Sequence, residues 1–223
     1  MFGGQVKVPF TMMTRIGAGF GAAAQHSESY YSIFSHFPGL KGLVPSDAYT
    51  AKGLLAAAIR DDDPVVFFEH KGLYGERGPV PEESYVLPIG KARTVRQGTD
   101  ITLVGISKMT WICTEAAEEL AKSGVNAEVV DLLSVSPIDY DHILDSVRRT
   151  HRIVVVDEDT PICSLAGDIC ARVAEEAFDY LDAPPSRVTA PHTPVPYSRA
   201  LENNYVPNAG RVIKLVNDLM SRS

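Results

Sequence analysis

From residue 100 onward the chain alternates short runs of Val, Ile and Leu with longer stretches in which apolar residues recur every three or four positions. ITLVGI (101–106), AEVVDLL (127–133), IVVVDE (153–158) and RVTA (187–190) are nearly unbroken apolar runs, as expected of strands buried on both faces of a parallel sheet. Between the first two, WICTEAAEELAKSG (111–124) places Ile112, Ala116 and Leu120 on one helical face and ends on Gly124, a residue suited to the position just past a helix. Ser136-Pro137 is expected to open a second helix through His142, Leu144 and Val147, because proline is tolerated in a first turn. Further helices are predicted over 166–180 and 211–220. Regular alternation of this kind predicts an α/β domain with a mainly parallel sheet and right-handed crossovers.

The first third is patterned differently. VKVPF (6–10) reads as a strand, a Gly-rich segment (17–21) follows, and LVP (43–45) and PVVFFEH (64–70) read as further strands. AYTAKGLLAAAIR (48–60) is a helix that Ser46 or Asp47 can cap. Two or three strands and one helix cannot cover both faces of a sheet, so this unit is expected to be incomplete and to leave apolar surface that seeks a partner. GERGPVPEESYVLPIG (75–90), rich in Gly, Pro and charge, is the expected linker.

Composition narrows the function classes. The net charge of −7 argues against nucleic acid and against an anionic membrane surface as partners, because both require clustered Lys and Arg. No run is long enough to span a bilayer, and MFGGQVKVPF lacks the basic and apolar regions of a signal peptide. Cys113, Cys163 and Cys170 show no C-x-x-C spacing and read as small hydrophobes, which fits a reducing, cytoplasmic setting.

Few residues invite chemistry. Gly17, Gly19 and Gly21 follow a predicted strand, but neither G-x-G-x-x-G nor a Walker lysine is present, so a tight turn is favoured over a phosphate loop. His26 lies between a Gly/Ala-rich run and Tyr30, Tyr31 and Phe34, and is either a structural histidine or an acid–base group in a half-buried pocket. Asp61, Asp62 and Asp63 end the 48–60 helix and form either a solvated loop or, with helix-terminal carbonyls, a cation site. Glu118-Glu119 and Glu175-Glu176 read as solvated helix faces, and Ser107 sits in no nucleophile elbow.

Four segments taken together carry a resemblance. GAAAQHSESYYSIFSHFPGLK (21–41), VPSDAYTAKGLLAAAIRDDDPVVFFEH (44–70), PIGKARTVRQGTDITLV (88–104) and VTAPHTPVPYSRALENNYVP (188–207) resemble the β subunit of the decarboxylating component of 2-oxo acid dehydrogenases, and the last is most similar to the acetoin dehydrogenase branch. The resemblance implies an α/β chain with an incomplete thiamine-diphosphate pyrimidine-binding domain over 1–80, a linker over 81–90 and a transketolase C-terminal-like domain over 91–223. It implies an α2β2 assembly with an α subunit and a second β subunit. There the α subunit holds the diphosphate of thiamine diphosphate and its magnesium, and the acyl group passes to a lipoyl arm of a dihydrolipoyl acyltransferase core. His26 matches the histidine that lines the active-site channel. Phe10, Ala58, Ile59, Asp61 and Asp63 match a loop that binds potassium, mostly through backbone oxygens, and Asp182 matches an acidic residue that docks the core. The 223 residues do not include the segment that carries the family's cofactor-activating glutamate, so the chain alone is expected to be inactive. Glu28, Met13 and Asp63 stand where the family usually has Gln, Arg and, in some members, Asn. A non-catalytic docking module for the acyltransferase core is the competing reading; a transketolase fits the four segments less well.

Overall fold

A computed structural model describes residues 5–221. The strands are β1 (Thr11–Ile16), β2 (Lys41–Leu43), β3 (Val65–His70), β4 (Arg93–Arg96), β5 (Ile101–Gly105), β6 (Ala127–Asp131), β7 (Ser134–Ser136), β8 (Ile153–Asp157) and β9 (Ser186–Thr189). The helices are α1 (Ala23–Ser27), α2 (Tyr31–Ser35), α3 (Ala48–Arg60), α4 (Met109–Lys122), α5 (Tyr140–Thr150), α6 (Leu165–Glu176), α7 (Arg199–Tyr205) and α8 (Ala209–Met220).

The strands form two sheets. The larger runs β4-β6-β5-β8-β9, parallel except for the edge strand β4, as the apolar runs predict. The smaller runs β1-β3-β2-β7, in which β1, β3 and β2 are parallel and β7 is antiparallel. The first third thus takes its fourth strand, β7, from the second half of the chain. Val65 and Phe67 of β3 pack with Leu54 and Ala58 of α3, while Val66 and Phe68 point the other way into a core shared with Val104, Val130 and Ile143 of the second half. The alternation is the period of two of a strand covered on both faces.

Three expectations need correction. Residues 6–10 are not a strand: the chain there is irregular, and pairing begins at Thr11, after Pro9, whose missing N–H cannot join a ladder. Ser136-Pro137 does not open a helix. Ser136 is spent pairing with Gly42, and α5 starts after Asp139, whose side chain accepts from the His142 N–H. The helix expected over 166–180 ends at Glu176, followed by a 3-10 turn over Phe178–Tyr180. The 75–90 segment has only irregular structure beyond residue 75, yet it packs on α3: Tyr85 stacks on Tyr49 at 4.9 Å, and the Leu87 N–H donates to the Gly53 carbonyl.

A buried polar cluster ties the halves together. The Asp131 carboxylate accepts from Ser46 at 2.5 Å, Thr110 at 3.0 Å and Arg93 at 2.9 Å, and Arg93 reaches on to Asp47 at 2.6 Å. Burial pushes the Asp131 carboxyl up to about 6 even though Arg93 pulls it down. Asp47 also caps α3 in a reciprocal box with Thr50.

Candidate active site

The Gly-rich segment is a turn in which every second residue, Gly17, Gly19, Gly21 and Ala23, has φ of +99, +107, +66 and +54°. Such alternation points successive N–H groups into one concavity, an anion nest. The nest is filled by the chain itself. The N–H groups of Gly19, Phe20 and Gly21 donate to the buried Glu202 carboxylate at 2.7, 3.2 and 2.7 Å, and that of Ala18 donates to Glu158 at 2.6 Å. The turn reading holds, and no free N–H nest remains for a phosphate.

Glu158 is also paired with His70 at 2.8 Å, both buried. The Gly72 N–H donates to His70 Nδ1, which leaves Nε2 to carry the proton toward Glu158. Burial alone would raise the Glu158 carboxyl; His70 and the Ala18 N–H outweigh it and hold the group below its ordinary value. A Cβ at Gly17 would lie 2.4 Å from the His70 ring, so glycine is required there for close approach as well as for its φ.

This anchored turn leads straight into α1, which carries His26. His26 is exposed and lines an open pocket of ≈ 840 Å³ with Met13, Arg15, Glu28, Tyr30 and Lys71. Lys71 donates through Nζ to the His26 carbonyl, and burial, then Arg15, pushes its ammonium below the ordinary lysine value. Burial, then the charge of Asp159, raises the Glu28 carboxyl. Ser27, beside His26, is buried and its hydroxyl has no partner. The pocket thus combines an accessible imidazole with fixed surroundings, an arrangement able to give or take a proton.

The other predicted residues lie elsewhere. Asp61 holds the Lys41 ammonium at 2.7 and 2.9 Å, and Asp63 holds it at 3.0 Å, so these carboxylates already carry a cation. The Ala58 carbonyl accepts from Thr11 Oγ1 at 3.0 Å and from the Asp61 N–H at 3.3 Å, and the Phe10 carbonyl accepts from Val65 at 2.8 Å. Ile59 is exposed at the end of α3. Asp182 is half exposed and reaches Arg152 at 3.3 Å. Among the described residues no three His, Cys, Asp or Glu side chains converge to hold a metal ion, and no helix is long and apolar enough to cross a membrane. The sequence reading missed Lys71, His70, Glu158 and Glu202. Three carry a local signal: His70-Lys71 closes an apolar strand, and Glu158 follows another.

Two family models and several curated proteins match the chain. Residues 90–212 match the transketolase C-terminal domain family, and residues 1–77 match the transketolase pyrimidine-binding domain. The acetoin:2,6-dichlorophenolindophenol oxidoreductase subunit beta of Bacillus subtilis (strain 168) is 50% identical over 99% of this chain and 64% of its own length. The protein of the same name from Cupriavidus necator is 50% identical over 95% of the chain and 63% of its own length. The mitochondrial pyruvate dehydrogenase E1 component subunit beta-2 of Oryza sativa subsp. japonica is 44% identical over 96% and 58%. The chain therefore spans about three fifths of the length of these curated relatives. In fold it is similar to a structure described as a split gene transketolase, inactive beta4 tetramer, with a TM-score of 0.78 and 24% identity over 96% of this chain and 67% of that one. With both transketolase regions matched in order along the chain, it belongs to the transketolase domain family, and its residues are 44–50% identical to those of the acetoin and pyruvate dehydrogenase β subunits named above.

Proposed function

We propose that this chain works as a β subunit of a thiamine-diphosphate-dependent dehydrogenase, in an α2β2 assembly, that cleaves acetoin or a 2-oxo acid and passes the product group to a lipoyl arm. The observation that carries the reading is the placement of His26: exposed on an open pocket, at the end of a turn held by buried acids. Acetoin takes precedence over pyruvate as substrate because relatives at 50% identity carry that name.

The residues fit a divided cofactor site. The nest amides are spent on Glu202 and Glu158, and no metal-binding cluster exists among the described residues, so this chain does not fit the diphosphate and magnesium; an α subunit would hold them. When bound, thiamine diphosphate supplies a nucleophilic carbon and an electron sink for carbon–carbon cleavage. The contribution of this chain is the His26 imidazole, which moves a proton at a ring nitrogen, and the pocket wall that orients the substrate. Potassium would be held by backbone oxygens at the 58–63 turn, because Lys41 already neutralises Asp61 and Asp63.

His26→Ala in the reconstituted α2β2 enzyme is expected to cut lipoyl acylation by about 10²-fold or more, the usual contribution of a general acid or base. Unchanged acylation refutes the assignment. A second reading, a docking module for the acyltransferase core, draws on the half-exposed Asp182. Binding to the core's docking domain, with no thiamine diphosphate bound even beside an α subunit, selects that reading.

A further inference from the structure

We infer that Glu202 is a positioning residue for His26: its carboxylate, delivered by α7, is the clasp that holds the Gly19–Gly21 nest and, through it, the helix that presents the imidazole. The inference rests on the proposed role of His26 and adds a residue more than 170 positions away that nothing else assigns to the site.

Four observations converge. First, α1 spans five residues and has no side-chain cap on its first turn, so it has almost no stability of its own. Second, the turn before it takes left-handed φ at Gly17, Gly19, Gly21 and Ala23, and Ala23 has a Cβ that disfavours that region. Third, what satisfies the N–H groups so arranged is an acid. Glu202 takes three of them across 181 to 183 residues of sequence, and the side chain is 1% exposed, so solvent has little access to replace it. Fourth, the same segment of chain also packs on the turn through apolar side chains. Ala18, Ala190, Val195 and Tyr205 close a small apolar cluster between the turn and this segment. Residues 190–205 therefore hold the turn that leads into the His26 helix, and Glu202 makes the charged part of the hold.

Charge is central to the grip. Three N–H groups aimed at one carboxylate are satisfied only by acceptors, and an amide in its place turns one acceptor atom into a donor facing another donor. Loss of that pairing leaves buried N–H groups without partners, and the strained turn has less to hold it.

The test is amide hydrogen exchange, read by mass spectrometry on the intact 223-residue chain, comparing wild type with Glu202→Gln, Glu202→Asp and Gly19→Ala. Gly19→Ala perturbs the nest from the opposite side: its Cβ meets nothing within 4 Å, so its only effect is on a backbone that needs φ +107°. Glu202→Gln and Gly19→Ala are expected to speed exchange over residues 17–27 by roughly 10- to 100-fold, the scale of losing one or two charge-assisted hydrogen bonds, while α3 and α4 keep their rates. Glu202→Asp is expected to restore most of the protection, and the double variant carrying both Glu202→Gln and Gly19→Ala is expected to exchange little faster than either single variant. In the α2β2 assembly the same two single variants should lower kcat with little change in KM. Unchanged exchange over 17–27, or acceleration spread evenly through the chain, overturns the clasp. Faster exchange over 17–27, with turnover untouched by Glu202→Gln and by His26→Ala alike, leaves the clasp standing and overturns the role given to His26.

Discussion

Removing one hydroxyl from Tyr31 tests how the two halves are joined beside the site. Tyr31 is fully buried and donates to Asp157 at the end of β8, across the boundary between the halves. Asp157 also accepts from the N–H groups of Asp159 at 2.9 Å and Ala166 at 3.2 Å. In Tyr31→Phe the ring keeps its space, including the edge contact with Phe68 at 6.1 Å, so the loss is confined to the hydrogen bond. Burial pushes the Asp157 carboxyl from 3.8 up to about 6, with Tyr31 pulling it down and the charge of Asp159 adding to the rise. Because the folded value lies above the ordinary one, the contribution of Asp157 to stability is fully present below pH 3.8 and is lost as pH rises through about 6. Without Tyr31 the folded value climbs further, so the loss with rising pH deepens. Against the ionised carboxylate the hydroxyl is worth about 1.5–3 kcal/mol, and against the neutral acid about 0.5–1.5 kcal/mol. Urea unfolding of wild type and Tyr31→Phe should therefore give a penalty larger by roughly 1 kcal/mol at pH 8 than at pH 4.5. A penalty equal at both values, or larger in acid, refutes the reasoning.

Three further outcomes are expected. Gly17→Ala combines a forbidden φ with a Cβ 2.4 Å from a histidine ring that Glu158 and Gly72 fix in place, and should cost roughly 3 kcal/mol or more in denaturant unfolding; a cost under about 1 kcal/mol would mean the ring yields. If the 58–63 turn binds potassium with a Kd near 1 mM, then 100 mM KCl in place of tetramethylammonium chloride should stabilise the chain by about 2.7 kcal/mol, and coincident melting curves would rule the site out. Asp182→Asn should weaken binding of the acyltransferase docking domain by about tenfold, while loss of the Arg152 pair lowers Tm modestly; equal binding by both forms would remove Asp182 from that surface.

Much of the larger sheet is legible in the sequence because its strands are buried on both faces, and burial writes itself as nearly unbroken apolar runs at 101–106, 127–133 and 153–158. The α3 helix is legible because Ser46 or Asp47 can cap it, and the structure gives the cap to Asp47. Other elements leave no such mark. RTVR of β4 is an edge strand with mixed exposure, and SVS of β7 has too few residues to show a period. VKVPF alternates as a strand should, yet its Val6, Val8 and Phe10 are exposed, and the pairing falls to the less apolar TMMTRI that follows. The position of His26 is legible through resemblance, but its supports are not. Glu202 sits in RALENNY, a polar stretch with no clear period, and only the folded chain shows it as a helix whose acid reaches a glycine turn far away in sequence.

The same long-range wiring explains why the first third cannot be understood as a unit. Its sheet needs β7, its inner face needs the core around Val104 and Ile143, and its helix cap is shared with Arg93. The residues that face the His26 pocket come from the first third, but the acids that fix their backbone, Glu158 and Glu202, come from the second. An open, largely polar wall gains little stability from its own packing. Hydrogen bonds from a rigid neighbour can order it without filling it. Buried acids suit that task because each accepts several N–H groups at once, and placing them on the other half couples the geometry of the pocket to the integrity of the whole chain.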